Sequence, residues 1–392
     1  MTQRVIHIVF AGGGTGGHLF PAIAIAERIR ELLADRDGTE IIFVGTRRGL
    51  EYRMRDLLGF PLRLINVRGL VRSFTLKNLL VPFVLVCALL KARSLLNEFK
   101  PDIVVGTGGY VSWPVLKMAV WKEIPTVLQE QNSFPGITTR QLASRARRIY
   151  LGFTGAKEYL HTNAEILVTG NPVRGTIFDG DRNAACAEYN LDPSKKTILV
   201  LGGSQGARTI NQAVLKSLKN NSLPAGYQVL WQTGRRDHKD VAARAGSKAS
   251  SCTLFPFAHN MRNVYAASDL VVTRAGALTL AELTACELPS ILIPYPYAAG
   301  DHQRKNARDI VNRGMADMID EGELNSIDLL VKTVTLMESE QFLKMKSQLA
   351  KESKKSRSAV DVIARDIIEL IMDIRREAVE NNRGADKTAN SG

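Results

Sequence analysis

The sequence predicts an α/β protein of two Rossmann-like, doubly wound domains, and three observations carry that prediction. Strand-like runs alternate with longer amphipathic helical patterns along most of the 392 residues, as in parallel sheets flanked by helices. The strand runs are almost continuously apolar rather than alternating, as strands covered on both faces require. The same unit also occurs twice: VIHIVFAGGGTGGHLFPAIAIAERI at 5–29 and TILVLGGSQGARTINQAVLKSL at 197–218 both read strand, Gly-Gly, a Ser/Thr-bearing glycine turn, then a helix.

In the first half the strand candidates are 5–10, 40–45, 102–106, 125–129 and 148–153; in the second they are 197–201, 227–232, 269–273 and 289–294. GNPVR at 170–174 is built of turn formers and suits a linker, which places the domains at 1–172 and 173–357. Beyond residue 378 the tail EAVENNRGADKTANSG is small and polar, so 379–392 is expected to be disordered.

Composition narrows the classes. With 45% hydrophobic and 23% charged residues the chain can bury real cores, which excludes disordered and fibrous proteins. No apolar run reaches the ~18–20 residues that cross a bilayer, and the N-terminus has no signal-peptide pattern. Cys87, Cys186, Cys252 and Cys286 are widely spaced without a CxxC pair, fitting a reducing compartment. The net charge of +13 is uneven: residues 1–172 hold 22 Lys+Arg against 13 Asp+Glu. That excess points to an anionic partner, with solubility alone as the plainer explanation.

Four glycine loops each follow a strand directly: 12–17 (GGGTGG), 106–109 (GTGG), 202–206 (GGSQG) and 274–279 (RAGALT). Such turns let a phosphate approach the backbone, and the helix N-termini behind them attract anions. Residues 12–17 satisfy the dinucleotide spacing G-x-G-x-x-G, but the second strand ends Val44-Gly45-Thr46-Arg47 without the carboxylate that would hold a ribose. An NADP reader could use Arg47 or Arg48, yet that leaves the second glycine unit unexplained.

His18 follows the first turn at a helix start, with Pro21 placed for the first helical turn. It is a candidate general base, because an imidazole near a helix N-terminus stays neutral; a capping or packing role is the alternative. No HExxH, H-x-E or carboxylate pair at ligand spacing occurs, so no protein-bound metal is expected. Twelve uncharged residues, LLVPFVLVCALL at 79–90, follow a cluster of Arg47, Arg48, Arg53, Arg55, Arg63, Arg68, Arg72 and Lys77, opposed only by Glu51 and Asp56. This combination fits an interfacial helix on anionic lipid or, alternatively, a core helix with solvated neighbours. No nucleic-acid motif accompanies the charge, so no nucleic-acid partner is expected.

Taken together, GGGTGGHLFPAIAIA (12–26), RGL (68–70), GTGGYVSWP (106–114), QEQNSFPG (129–136), GNPVR (170–174), GGSQGARTIN (202–211), RAGALTLAEL (274–283) and DHQRKNA (301–307) resemble the MurG family of bacterial UDP-N-acetylglucosamine transferases. Trp113 departs from the small residue usual there, and the apolar 79–90 run lacks the usual lysines. The resemblance implies a GT-B glycosyltransferase with an interdomain cleft, an acceptor-binding and membrane-associating N-terminal half, a UDP-GlcNAc-binding C-terminal half, and a last helix at 358–378 packing back on the first domain. The implied reaction is inverting transfer of GlcNAc to lipid I, giving lipid II for peptidoglycan, cell shape and division. A UDP-GlcNAc 2-epimerase or a non-enzymatic nucleotide-binding scaffold is the alternative.

The resemblance also implies roles. Ser204, Gln205 and Gly206 would hold the diphosphate, Arg174 would add positive charge, Glu282 would accept the ribose hydroxyls and Ala258 would read the uracil. Ala277, Leu278 and Thr279 would line the donor loop, while His302 and Gln303 would meet the GlcNAc hydroxyls. Thr15, Gly16, Gly17 and Asn132 would be further UDP-GlcNAc contacts, with Tyr110 and Asn132 in acceptor-side motifs and His18 catalytic. No cofactor is implied, any divalent cation acting from solution. The implied partners are UDP-GlcNAc, lipid I and the anionic cytoplasmic face of the inner membrane, with other cell-wall synthesis proteins as further candidates.

Overall fold

The computed structural model describes residues 5–34, 38–67, 81–203, 206–258 and 260–389. Ser204, Gln205, the RGL stretch at 68–70, Arg68, Arg72 and Lys77 lie outside the described residues, as do the first two residues of the 79–90 run. The chain forms two compact units. One comprises Met1–Gln131, Pro135–Pro172 and Ser358–Gly392; the other comprises Asn132–Phe134 and Val173–Arg357.

The first unit holds β1 (Ile6–Gly12), β2 (Thr39–Gly45), β3 (Leu62–Leu64), β4 (Ile103–Gly108), β5 (Thr126–Glu130), β6 (Arg148–Leu151) and β7 (Glu165–Val168). They form one parallel sheet in the order β3-β2-β1-β4-β5-β6-β7. The second unit holds β8 (Lys196–Leu201), β9 (Tyr227–Gln232), β10 (Cys252–Phe255), β11 (Leu270–Thr273), β12 (Ser290–Leu292) and β13 (Ala316–Met318). Its parallel order, β10-β9-β8-β11-β12-β13, repeats the first sheet's first six positions. In both, the strand order reverses beside the first strand, at β1/β4 and β8/β11, where an open α/β sheet binds its ligand. All four glycine loops follow these four strands.

The near-continuous apolar character of the central strands has a direct cause: each feeds two cores. Ile8 and Phe10 of β1 point into one buried cluster, Val9 and Ala11 into another. Ile198 and Val200 of β8 likewise part from Leu199 and Leu201. The helix Glu340–Ala389 lays Ile363, Ala364, Ile367 and Ile371 into the Ile8–Phe10 core. Around that seam Tyr150 donates to Asp366 at 2.6 Å, Arg148 pairs with the same carboxylate, and Arg375 Nη2 reaches Asp102 at 2.8 Å.

Three features differ from the sequence reading. β3, β7, β10 and β13 were not anticipated. The last helix runs on to Ala389 rather than dissolving after 378; with the packed part as nucleus and no proline to stop it, the helix continues through Asn381, Asn382 and Gly384 despite their low propensity. Finally, the first helix begins at Gly16, which puts Pro21 in its second turn rather than its first. The missing N–H there leaves the Gly17 carbonyl without its helical donor.

Candidate active site

In the first unit the loops after β1 and β4 close on each other. A Cβ on Gly12 would stand 1.7 Å from Thr107 Oγ1, and one on Gly109, at φ +81, would stand 2.4 Å from the Gly13 carbonyl oxygen. Only glycine permits this approach. Beneath the turn Glu51, 1% exposed, accepts from the N–H groups of Gly14 (2.7 Å) and Thr46 (2.8 Å). Tyr110 packs its ring on Gly14, and its hydroxyl lies 3.2 Å from Thr46 Oγ1. Thr15 and Gly17 are exposed and Gly16 is half-buried. Thr15 is the helix N-cap but makes no side-chain cap bond, and the N–H groups of Gly16 and Gly17 precede the first helical acceptors.

His18 is half-buried on the same turn. Its Nδ1 lies 3.0 Å from the Thr107 carbonyl oxygen and 2.9 Å from Gln131 Oε1, and Thr107 Oγ1 donates to the His18 carbonyl at 2.8 Å. The ring is therefore held by β4 and the end of β5.

In the second unit Gly206, at φ +81, could not carry a Cβ, which would stand 2.8 Å from the Thr233 carbonyl oxygen. Gln232, unremarked in the sequence, donates to Gly203 O at 3.1 Å and accepts from Ala258 N at 2.9 Å. It ties the glycine loop to Ala258 and commits that residue's N–H within the protein. Ala277, Leu278 and Thr279 are the first three residues of the helix Ala277–Ala285, whose N-cap Gly276 makes no side-chain cap bond. A helix start of this kind is an anion site.

Glu282 lies one turn further along. Tyr265 donates to its Oε2 at 2.8 Å, and burial pushes its carboxyl up to about 7, against the opposing pull of the Tyr265 bond and the Arg174 charge. Arg274 of the 274–279 loop is held by Glu321, Thr209 and the carbonyls of Ile293 and Pro294, so it fixes the loop. His302 opens the helix His302–Asn312 after left-handed Gly300 and Asp301, with Nδ1 2.8 Å from Ala299 O; Gln303 Oε1 accepts from Tyr295 N at 2.9 Å. Asn132 belongs to this unit. Asn306, fully buried, accepts from Ser133 N (2.9 Å) and Oγ (2.7 Å) and donates to Asn132 Oδ1 at 3.3 Å.

The structure thus gathers His18, Thr15, Gly16, Gly17 and Tyr110 in one unit, and Arg174, Gly206, Ala258, Ala277, Leu278, Thr279, Glu282, His302, Gln303 and Asn132 in the other. Sequence reasoning missed Glu51, Gln131, Gln232 and Asn306. Gln131 and Asn306 sat inside quoted motifs, whereas Glu51 and Gln232 carried no signal. Among the described residues, no three of His, Cys, Asp and Glu converge as a metal would need.

Two doubly wound domains with glycine loops at both switch points define a GT-B glycosyltransferase. Residues 8–151 match the glycosyltransferase family 28 N-terminal domain, and residues 197–363 its C-terminal domain. A UDP-N-acetylglucosamine–N-acetylmuramyl-(pentapeptide) pyrophosphoryl-undecaprenol N-acetylglucosamine transferase of Thermoanaerobacter sp. (strain X514) is 39% identical, covering 88% of this chain and 95% of the relative. The transferase of the same name from Chlorobium luteolum (strain DSM 273 / BCRC 81028 / 2530) is 42% identical, covering 87% and 92%. The crystal structure of Acinetobacter baumannii MurG superposes with a TM-score of 0.70 at 24% identity, covering 93% of this chain and 99% of that one. The chain belongs to this MurG family of transferases.

Proposed function

We propose that the enzyme transfers GlcNAc from UDP-GlcNAc to the MurNAc-pentapeptide of undecaprenyl-pyrophosphate-linked lipid I, forming lipid II for peptidoglycan. The observation that carries this reading is the pairing of a donor-type loop set in the second unit with a His-bearing glycine turn in the first, in a chain about 40% identical to transferases of that name.

The second unit holds the nucleotide. Glu282 accepts the ribose hydroxyls; the N–H groups of Ala277, Leu278 and Thr279, the Gly202–Gly206 turn and Arg174 face the diphosphate; His302, Gln303 and Asn132 meet the sugar. Lipid I is held by the first unit through Tyr110, while Thr15, Gly16 and Gly17 are further contacts of UDP-GlcNAc. An acceptor sugar hydroxyl attacks the anomeric carbon with inversion. The new C–O bond forms as the bond to the β-phosphate oxygen breaks, UDP leaves with that electron pair, and the hydroxyl proton passes to His18 Nε2. Fixed N–H dipoles and Arg174 stabilise the growing charge on the leaving group, a kind of contribution typically worth ~3–4 kcal/mol per donor. No resident cofactor takes part in this scheme, a divalent cation acting only as counter-ion from solution.

Among the described residues no helix is long and apolar enough to cross a membrane. The helix Val81–Phe99 instead exposes Phe83 (70%), Val86 (53%) and Leu90 (59%) along one face, flanked by exposed Lys91 and Arg93. This stripe supports peripheral docking on anionic lipid at the cytoplasmic side of the inner membrane.

The test is incubation with UDP-GlcNAc and a short-chain lipid I analogue, following UDP. Release that requires acceptor supports the transferase; release without it indicates hydrolysis or the epimerase alternative.

A further inference from the structure

We infer that Gln131 is a positioning residue for the transfer, setting the tautomer of His18 so that Nε2 carries the lone pair. The inference rests on the reading of His18 as the base and adds what makes that ring one.

Gln131 is 2% exposed, and its Nε2 lies 2.8 Å from the Thr107 carbonyl oxygen and 3.1 Å from the Gln129 carbonyl oxygen. Two carbonyls can only accept, so the amide NH2 must face them and Oε1 must face away. Oε1 is the atom 2.9 Å from His18 Nδ1. The second neighbour of Nδ1, Thr107 O at 3.0 Å, is also an acceptor. With acceptors on both sides, Nδ1 carries the proton. A neutral imidazole has only one, which leaves Nε2 as the acceptor.

A third acceptor, Gln129 Oε1, faces the same Nε2 at 2.5 Å, and that amide is itself fixed by its neighbours. Gln129 Nε2 donates to Asn171 Oδ1 at 3.1 Å, and Asn171 Nδ2 donates back to the Gln131 carbonyl at 2.9 Å. Rotating Gln131 by half a turn would set NH2 against Nδ1–H and Oε1 against two carbonyls, breaking every bond it makes. The arrangement has the logic of a catalytic triad's orienting group, with a neutral amide in place of a carboxylate. Once Nε2 takes the acceptor's proton, the Nδ1–H bonds become charge-assisted and strengthen as the transition state is approached.

The test uses the full chain with 15N-labelled histidine. The His18 resonances are identified by their loss in His18→Ala, and at neutral pH Nδ1 should be protonated and Nε2 not. Gln131→Met, nearly isosteric and without acceptor or donor, should give a mixture of tautomers and lower kcat about tenfold or more with KM for UDP-GlcNAc unchanged. Protonation at Nε2 in the unaltered protein, or unchanged kcat in Gln131→Met, overturns the inference. Normal turnover of His18→Ala instead removes the base itself, a failure that the spectrum of the unaltered protein keeps separate from an error in the tautomer.

Discussion

Tyr265 donates its hydroxyl to Glu282 Oε2 across 2.8 Å, with Arg174 acting on the Glu282 charge and Cys286 on the Tyr265 hydroxyl. Burial raises this carboxyl from 4.5 to about 7, and it raises the Tyr265 and Cys286 groups as well. Between those two pH values the folded chain holds a proton that the unfolded chain has lost, so ionising Glu282 in the fold costs stability as pH rises from about 4.5 to about 7. The ribose needs the ionised form as acceptor. UDP affinity, measured by calorimetry, should therefore weaken as pH falls below about 7. Glu282→Gln should weaken UDP binding yet raise the melting temperature at pH 8, the gain disappearing by pH 5. A melting temperature unchanged at pH 8 would refute the raised carboxyl.

Glu51 gives a second prediction, in the other unit. Its carboxylate satisfies Gly14 N and Thr46 N from beneath the first turn, and Cβ atoms on Gly13 or Gly49 would stand 2.6 or 2.0 Å from it. Glu51→Ala leaves two backbone donors unpaired, and an unmet buried donor costs roughly 1–3 kcal/mol. Denaturant unfolding should show a loss of about 2–4 kcal/mol, while calorimetric UDP binding stays unchanged because the nucleotide loops lie in the second unit. Full stability in Glu51→Ala would contradict the role given to it.

The contrast between Glu51 and its neighbours shows how far the sequence could be read. In the run 47–77 it is one of two acids against eight bases, and nothing in the pattern marks it as buried; only the fold brings Gly14 and Thr46 to it. The central strands were legible because both of their faces are covered, which makes VIHIVF and TILVL nearly continuous apolar runs. β3, β7, β10 and β13 were not, and all four are sheet edges of three or four residues with little buried pattern. Glycine loops announce themselves by composition. The amides that hold them, Gln131, Gln232 and Asn306, depend on contacts between residues 24 to 173 positions apart.

The stripe Phe83, Val86 and Leu90 yields a third prediction. Burying such side chains is worth about 1.5–3 kcal/mol each, and basic residues near an anionic surface add about 1 kcal/mol each. The protein should sediment with acidic liposomes at low salt and release as salt rises. Phe83→Ser with Leu90→Ser should lower the bound fraction strongly without altering UDP binding. Equal binding to acidic and neutral liposomes would remove the charge contribution, and unaltered binding of the double variant would remove the stripe.

The last prediction couples His18 to the group that holds it. His18→Ala should lower turnover by about 10²–10⁴-fold, the usual share of general-base catalysis, with UDP affinity unchanged. Gln131 acts only through the ring, so Gln131→Met should cost about tenfold in the unaltered background and almost nothing once His18 is alanine. Additive losses in that double-mutant cycle would mean that Gln131 serves the fold rather than the base, because the two side chains meet at 2.9 Å and a shared role must appear as coupling.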